Sequence, residues 1–207
     1  MIDLKKLKYR NITVSSLPGA GSTTLAKKIA RFLDWEYWSG GDYMRAYAVK
    51  KGLFDSNNKL HHDATVYNEE FDRQVDFGMR ASLKNDQGRV LDSWLSGFMA
   101  QGIKNVLKVL VYCSDDAIRV DRITNRDEVD INKAKQHIFE RQEKNLKKWQ
   151  HMYNQEWQEW VVKTGKLTKD EPVFFWTPKI YDLSIDTYSH SRQQSLELVL
   201  KALGLKE

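Results

Sequence analysis

The sequence predicts an α/β protein built on a parallel sheet of five strands flanked by helices. Apolar runs of strand length alternate with segments of helical periodicity, which is the pattern of successive β-α units. One run, Val106–Ser114, is almost continuously apolar, as in a strand covered on both faces. The 207 residues and the hydrophobic fraction of 41% fit a single domain, residues 1–207, with an inserted lobe.

The first elements surround a glycine-rich turn. Asn11–Ser16 is an apolar run and predicts a buried strand, and Ser22–Leu33 then carries its apolar residues at helical spacing. Residues 35–39 predict a short second strand. A helix is expected to begin after Gly41 and to stop at Gly52, because glycine favours the end of a helix.

The middle of the chain predicts one long helix and two more strands. A polar loop, residues 55–63, precedes a helix predicted over residues 64–85, and the turn sequence "NDQG" ends that helix. Residues 89–94 predict the third strand, and Val106–Ser114 predicts the fourth.

The last third of the chain is charged at first and then aromatic. Two charged helices are predicted over residues 116–126 and 131–149. Residues 150–178 contain a short predicted helix, a polar turn and the aromatic run "VFFWTP". Residues 181–187 predict the fifth strand, and residues 191–204 predict the closing helix.

Composition limits the classes of function. The net charge of +5 fits an anionic ligand or an ordinary basic surface, and basic residues interleaved with acids do not predict a nucleic-acid surface. The longest apolar runs fall short of the roughly 20 residues of a membrane span, and the first residues lack the apolar core of a signal peptide. With Cys113 as the single cysteine, we expect no internal disulfide, no cysteine-rich zinc site and a cytoplasmic location.

The turn after the first strand nearly matches a phosphate-binding loop of the form G-x-x-x-x-G-K-[ST]. Ser16 replaces the first glycine and Ser22 replaces the lysine, while Gly21 and Thr23 keep their places. Such a turn directs backbone N–H groups and a helix N-terminus at an anion, although a purely structural turn is the alternative. The residues predicted to contact the phosphates of ATP are Pro18, Gly19, Ala20, Gly21, Ser22, Thr23 and Thr24.

Arginines later in the chain offer the positive charge that the loop lacks. Arg119, Arg122 and Arg126 follow one another at helical spacing, and Arg141 lies on the next predicted helix. They come after the fourth strand, near the edge of a parallel sheet where ligands bind, so one interpretation places them within reach of a triphosphate. The alternative is a solvated helix face with ion pairs to neighbouring acids.

Other polar residues near the predicted site have competing roles. Asp92 ends a strand predicted to lie beside the loop's strand, so it is predicted to support Mg²⁺ together with Thr23, or to cap a helix. Asp42 is predicted to cap a helix or to bind the acceptor. Lys28 fits a solvent-facing position better than the phosphates, and His61 and His62 fit a solvated loop better than a metal site.

Nearly the whole chain resembles the cytidylate kinase-like family of nucleoside monophosphate kinases. "SLPGAGSTT", residues 16–24, is similar to the family's loop, in which threonine replaces the lysine. "GDYMR", residues 41–45, and "EFDRQVD", residues 70–76, resemble its acceptor segments. "IRVDRITNRD" and "IFERQEKNLKKW" resemble its lid, and "YDLSIDT", residues 181–187, resembles its segment near the nucleotide base.

The resemblance implies a P-loop kinase fold with a helical acceptor-binding region over residues 41–86 and a lid over residues 117–178. It implies that Arg45 grips the acceptor monophosphate and that Asp72 and Arg73 lie beside the acceptor. It also implies that four lid residues clamp phosphates, namely Arg119, Arg122, Arg126 and Arg141.

Two departures concern the acceptor. The family commonly reads "EGR" where this chain reads "DSW", residues 92–94, and the family's arginine contacts the acceptor. Trp94 is predicted either to stack on the acceptor or to belong to the core. Residues 150–178 look longer than in the family, and they are predicted to pack the lid, to cover a larger acceptor or to form a dimer contact.

The resemblance implies ATP-dependent phosphoryl transfer, with Mg²⁺, to a nucleoside monophosphate such as CMP or dCMP. The alternatives are a kinase for another small molecule and a nucleotide-binding protein without catalysis. We expect a monomer or a homodimer, with no membrane partner.

Overall fold

The computed structural model describes residues 7–53 and 64–205, so that the polar segment with His61 and His62 lies outside the described residues. The strands are β1 (Asn11–Ser16), β2 (Glu36–Ser39), β3 (Arg89–Asp92), β4 (Val106–Tyr112) and β5 (Leu183–Asp186). The α-helices are α1 (Ser22–Leu33), α2 (Gly40–Lys50), α3 (Glu69–Asn85), α4 (Ser96–Met99), α5 (Asp116–Asp127), α6 (Ile131–Lys135), α7 (Arg141–Met152), α8 (Asn154–Trp157) and α9 (Arg192–Ala202).

The five strands form one parallel sheet, as the sequence predicted, and their order is β2-β3-β1-β4-β5. β1 is central, with Val14 beside Asp92 of β3 on one side and beside Val109 of β4 on the other. Since parallel strands end at a common edge, the turn after β1 lies next to the end of β3. This topology brings the loop and Asp92 together.

Two apolar cores cover the two faces of the sheet, because side chains alternate along each strand. On one face, α1 and α9 pack against the strands, and Ile12, Ile29 and Val199 are fully buried there. The other face carries α3, α4 and the aromatic segment of the last third, with Phe98 and Trp157 among its most buried members.

The segment 150–178 belongs mainly to this second core. The buried Phe175 ring meets Phe98 at 4.8 Å between centroids and Trp157 at 5.4 Å. The lid has a small core of its own, with Val120 and Ile138 among its buried members. The aromatic segment therefore mainly covers the sheet, and its contacts with the last turn of α7 also join it to the predicted lid.

Local capping explains where the predicted helices differ from the observed ones. The helix predicted from residue 64 begins at Glu69, because the Asn68 side chain accepts a hydrogen bond from Phe71 N at 2.8 Å. A short 3₁₀ turn, Ala64–Val66, precedes it. α2 begins at Gly40, before the predicted start, because Ser39 is its N-cap and accepts from Asp42 N.

The helix predicted over residues 131–149 is continuous but irregular. A π-helical turn over Gln136–Glu140 joins α6 to α7, and a second one, Gln158–Val162, follows α8. Such turns often lie at functional sites, and the first of them directly precedes Arg141.

Within residues 7–53 and 64–205, the helices are too short or too polar to cross a bilayer.

Candidate active site

The loop after β1 holds the N-terminus of α1 open towards a cavity. Gly21 is the N-cap of α1 in the left-handed conformation, with φ +93°, and no side chain caps it. Gly19 has φ +80°, and a Cβ atom there would lie 2.8 Å from the carbonyl oxygen of Arg119. The glycine at position 19 thus allows the loop to touch the backbone of α5, whereas Gly21 faces open space.

The two departures from the usual loop pattern are partners in the structure. The buried Ser16 hydroxyl donates a hydrogen bond to the Ser22 hydroxyl at 2.6 Å, and the side chain of Ser22 also interacts with Asp92. Ser16, which replaces the glycine, is therefore the hydrogen-bond partner of Ser22, which replaces the lysine. The resulting series of polar side chains, Ser16, Ser22 and Asp92, ends at a carboxylate. It does not bring a positive charge into the cavity, as the usual lysine would.

Asp92 collects hydrogen bonds at the end of β3. Its Oδ2 accepts from Thr23 Oγ1 at 2.7 Å and from the Tyr37 hydroxyl at 3.1 Å. Burial raises the pKa of Asp92, and the hydrogen bonds from Thr23, Tyr37 and Ser22 act in the opposite direction. The alternative prediction of a helix cap does not describe Asp92, whose carboxylate is directed to these side chains.

The loop lines the larger of two neighbouring cavities, which has a volume of about 1010 Å³. Its walls are the predicted ATP-binding loop, the end of β3, the lid and the turn after β5. The predicted residues on these walls are Pro18, Gly19, Ala20, Gly21, Ser22, Thr23, Thr24, Asp42, Asp92, Trp94, Arg122, Arg126 and Arg141. Its volume is at the upper end of the range of small-molecule sites.

Two of the predicted clamp residues hold the loop itself. Arg122 Nη1 donates to the carbonyl oxygen of Gly19 at 3.1 Å, and Nη2 donates to the carbonyl oxygen of Thr187 at 3.0 Å. Arg119 is buried, and its Nε donates to the carbonyl oxygen of Pro18 at 3.1 Å. Arg119 lines neither cavity. These two guanidinium groups therefore join the lid to the loop through backbone oxygens.

The other two predicted clamp residues face the cavity in different ways. Arg126 forms a two-pronged ion pair with Asp127, with both distances 2.7 Å. The Arg141 guanidinium lies over the Trp94 ring, 4.7 Å from its centroid. Lys28 also lines this cavity, contrary to the prediction that it faces solvent.

A smaller cavity of about 90 Å³ adjoins the larger one and has an acidic floor. The buried Asp72 forms an ion pair with Lys148 at 2.8 Å, while burial raises the pKa of the Asp72 carboxyl. Asp76 accepts a hydrogen bond from the Tyr153 hydroxyl at 2.6 Å. Sequence reasoning missed Asp76 and Tyr153, although Asp76 lies one helical turn after Asp72 in the matched motif.

Two predicted acceptor residues lie away from both cavities. Arg73 donates to the carbonyl oxygen of Met152 at 2.9 Å and forms an ion pair with Glu156. Its guanidinium also lies 5.4 Å from the centre of the Tyr153 ring. Arg73 thus ties α3 to the junction of α7 and α8, and Arg45 is half-buried on α2. The contacts of Arg73 support a scaffolding role.

Trp94 packs against the core, in line with one of its two predicted roles. Its indole meets the edges of Trp149 and Trp176 at 5.5 and 5.7 Å, so the side chain packs against the aromatic core. It also lines both cavities. Stacking on an acceptor would have to compete with Arg141 for the ring face that Arg141 covers.

Sequence reasoning also missed residues after β5. Tyr188, His190 and Arg192 line the larger cavity, and the Tyr188 side chain is 58% exposed. An exposed aromatic ring at a cavity wall is a suitable surface for a nucleotide base. Among the described residues, no cluster of three or more His, Cys, Asp or Glu side chains forms a ready metal site.

Asp76 makes stability depend on pH. Burial raises the pKa of Asp76 to about 7, so the folded state binds a proton that the unfolded chain releases near its ordinary pKa. The free energy of unfolding should therefore fall as the pH rises through this range. Between about pH 5 and pH 8 we expect a loss of about 2–3 kcal/mol that Asp76→Asn does not suffer.

The measurement is chemical unfolding of both proteins across this range. The comparison isolates Asp76 from Asp72, Lys148 and Arg73, the other charged groups around it, because these are kept in the variant. Parallel pH profiles for the wild type and Asp76→Asn would contradict the assignment.

Comparison with known proteins relates this geometry to a family. The sequence model described as the cytidylate kinase-like family matches residues 11–189. A protein named cytidylate kinase from Archaeoglobus fulgidus is 28% identical over 197 residues, 95% of this chain and 96% of the relative. A protein of the same name from Haloarcula marismortui is 29% identical, covering 93% of this chain and 88% of the relative.

Solved structures support the fold at lower identity. An uncharacterized protein from Eubacterium ventriosum matches 94% of this chain and 98% of its own, with a TM-score of 0.60 and 14% identity. A shikimate kinase from Bacteroides thetaiotaomicron matches 95% of this chain and 99% of its own, with a TM-score of 0.52 and 14% identity. A gluconokinase from Sinorhizobium meliloti gives 0.51 at 12% identity, covering 95% and 93%. The predicted P-loop kinase fold is confirmed.

Proposed function

The chain belongs to the cytidylate kinase-like family, and from that membership we propose that it transfers the γ-phosphoryl group of ATP to a nucleoside monophosphate, with CMP or dCMP as the acceptor. The observation that carries the proposal is the meeting of two cavities at the end of β3. The larger one contains an open helix N-terminus and the smaller one lies beside it, so that a donor and an acceptor would face each other. Relatives named cytidylate kinase support the choice of acceptor.

The donor site consists of the loop and the N-terminus of α1. Backbone N–H groups around Gly19 and Gly21 hold the β-phosphate, where the helix dipole favours negative charge. Ser22 provides a hydroxyl where the usual loop has an ammonium group. The cations that neutralise the γ-phosphate therefore come from the cavity wall, with Arg141 on the lid and Lys28 on α1.

Thr23 and Asp92 fit a magnesium ion. Their oxygens are 2.7 Å apart, and a hydroxyl with a carboxylate is a hard-oxygen donor pair of the kind that Mg²⁺ takes beside phosphates. When bound, Mg²⁺ withdraws charge from the phosphate oxygens. Tyr37 and Ser22 orient the Asp92 carboxylate, which the buried surroundings keep from turning to solvent.

The transfer itself needs positioning and charge. An ionised oxygen of the acceptor monophosphate forms a bond to the γ-phosphorus, while the bond from that phosphorus to the β–γ bridging oxygen breaks. The electron pair leaves with ADP, and no general base is required because the attacking oxygen is already ionised. Arg141, on the wall shared by both cavities, binds the oxygens of the group in transit and lowers their repulsion.

The direct test is a coupled assay with Mg²⁺-ATP and a panel of CMP, dCMP, UMP, AMP and GMP. We expect turnover with CMP or dCMP well above that with the purine monophosphates. Turnover with none of them would reject the nucleotide acceptor. The small acidic cavity favours one alternative, a compact acceptor rich in hydroxyl groups, which ATP consumption stimulated by a polyol with CMP inert would support.

Arg122→Ala tests the link between the lid and the loop. Removing this guanidinium frees the carbonyl oxygens of Gly19 and Thr187, so we expect the KM for ATP to rise about tenfold. Arg31→Ala, at an exposed position in the last turn of α1, is the matched control and should leave the KM unchanged. Equal KM values for Arg122→Ala and the wild type would contradict this role.

A further inference from the structure

The two cavities share four lining residues, Gly41, Ser93, Trp94 and Arg141. Arg141 is the only one of these four with a charged side chain. A phosphoryl group that leaves the larger cavity for the smaller one passes this guanidinium. The transfer therefore depends on the orientation of the Arg141 guanidinium as well as on its presence.

The Trp94 indole gives Arg141 a surface on which to lie. The guanidinium carbon is 4.7 Å from the centroid of the ring, within the range of a cation–π contact, and tryptophan is the strongest partner for such a contact. Arg141 Nη1 also lies 3.4 Å from His137 Nε2. Arg141 is the first residue of α7, directly after the π-helical turn that also carries His137.

The indole is itself fixed. The Trp176 indole N–H donates to the carbonyl oxygen of Trp94 at 2.9 Å. Trp149 and Trp176 meet the Trp94 ring edge-on, with both interplanar angles at 74°. The aromatic segment that covers the sheet thus prevents the Trp94 ring from turning away.

An aromatic ring face and a carboxylate hold a cation in different ways. A carboxylate takes up N–H donors and offsets the positive charge, as Asp127 does for Arg126 in the same cavity. A cation–π contact attracts the guanidinium to the electron-rich ring face without neutralising its charge. The Trp94 contact can therefore orient Arg141 without itself cancelling the positive charge.

We propose that Trp94 is a positioning residue whose indole face fixes the Arg141 guanidinium at the junction of the donor and acceptor cavities. This inference rests on the proposed function, because it assigns the orientation of the cation that acts on the transferred group. It predicts that Trp94 acts on the transfer through Arg141 and not through contact with the acceptor.

A double-mutant cycle tests the coupling. Trp94→Leu should lower kcat about tenfold with little change in the KM for ATP, and Trp94→Phe, which keeps an aromatic face, should stay within about threefold of the wild type. In the Arg141→Ala background, Trp94→Leu should cost less than about twofold further. The same tenfold loss in both backgrounds would overturn the proposal, because Trp94 would then act independently of Arg141.

A matched control and a second measurement separate positioning from packing. Trp35 packs against the core on the opposite face of the sheet and lines neither cavity, so Trp35→Leu should leave kcat unchanged. In NMR spectra, the side-chain N–H of Arg141, identified by its loss in Arg141→Lys, should show a ring-current shift that Trp94→Phe changes in size and Trp94→Leu abolishes. An unshifted resonance in the wild type would also overturn the proposal.

This resonance is measured without substrates, so it tests the contact even if no monophosphate is phosphorylated. If Trp94→Leu does not fold, Trp94→Phe tests the proposal through the same cycle and the same resonance. Failure of the monophosphate panel with a normal ring-current shift would reject the proposed function and leave the positioning of Arg141 supported.

Discussion

Asp92→Asn should lower kcat about 100- to 1000-fold and leave the fold intact. The carboxylate accepts hydrogen bonds from Thr23 and Tyr37 at the end of β3. In the proposed function its negative charge holds Mg²⁺ beside the donor phosphates. Loss of one preorganised electrostatic group at a reacting phosphate or acyl centre costs this much in other enzymes. The amide keeps the shape of the side chain, so the loss is one of charge.

Stability is expected to move the other way. Burial raises the pKa of Asp92, which means that keeping this group ionised at neutral pH costs the folded protein free energy. The melting temperature of Asp92→Asn should therefore equal or exceed that of the wild type. The assay is steady-state kinetics across a series of Mg²⁺ concentrations, together with thermal unfolding.

Asp34→Asn is the control for this substitution. It makes the same chemical change at an exposed, left-handed position after α1, where asparagine is well tolerated. Its kcat should match the wild type. A kcat for Asp92→Asn within about threefold of the wild type would remove Asp92 from the proposed mechanism, whatever the change in stability.

Gly19→Ala should destabilise the protein by about 2–5 kcal/mol. A side chain at φ +80° is strained by about 1–2 kcal/mol, and the added methyl group would lie 2.8 Å from the carbonyl oxygen of Arg119. That obstacle is helix backbone, which cannot swing aside as a flexible side chain can, and overpacking of this kind costs about 1–3 kcal/mol. Relief requires α5 to move away from the loop and would break the Arg119 and Arg122 contacts with it.

Gly21→Ala is the matched variant for unfolding experiments. Gly21 has the same left-handed conformation, at φ +93°, but a Cβ atom there meets no neighbour within 4 Å. Gly21→Ala should therefore be destabilised only by left-handed backbone strain, about 1–2 kcal/mol. Equal free energies of unfolding for the two variants, measured in urea, would show that the approach of α5 to the loop does not contribute to stability.

The paired serines give the altered loop a physical rationale. Each position alone looks like the loss of a required residue, yet Ser16 and Ser22 hydrogen bond to each other and the chain continues to Asp92. A buried hydroxyl without a partner would cost about 1–3 kcal/mol, so the two replacements are stable together. The loop is a coherent variant, and the proposed function assigns phosphate neutralisation to other parts of the cavity wall.

Local signals were sufficient for the elements of the sheet. β1 and α1 have the predicted bounds, and β4 was recognised by a continuous apolar run that only a doubly covered strand explains. The start of α3 was predicted too early, since the capping geometry of Asn68 outweighed the helical pattern before it. The aromatic segment covers the sheet and also contacts α7, and an aromatic run by itself does not specify which of these surfaces it covers.

The sequence by itself determined the order of strands and helices along the chain, the glycine-rich turn after β1 and the presence of arginines after β4, because periodicity and turn chemistry act between near neighbours in the chain. Only the tertiary structure decided what each arginine does. Arg119 contacts the loop residue Pro18, which is 101 positions earlier in the chain. Arg73 contacts the junction of α7 and α8, and the Arg141 guanidinium lies over the Trp94 ring. These roles depend on which distant surfaces are brought within about 5 Å when the two cores pack, and no local pattern encodes that distance.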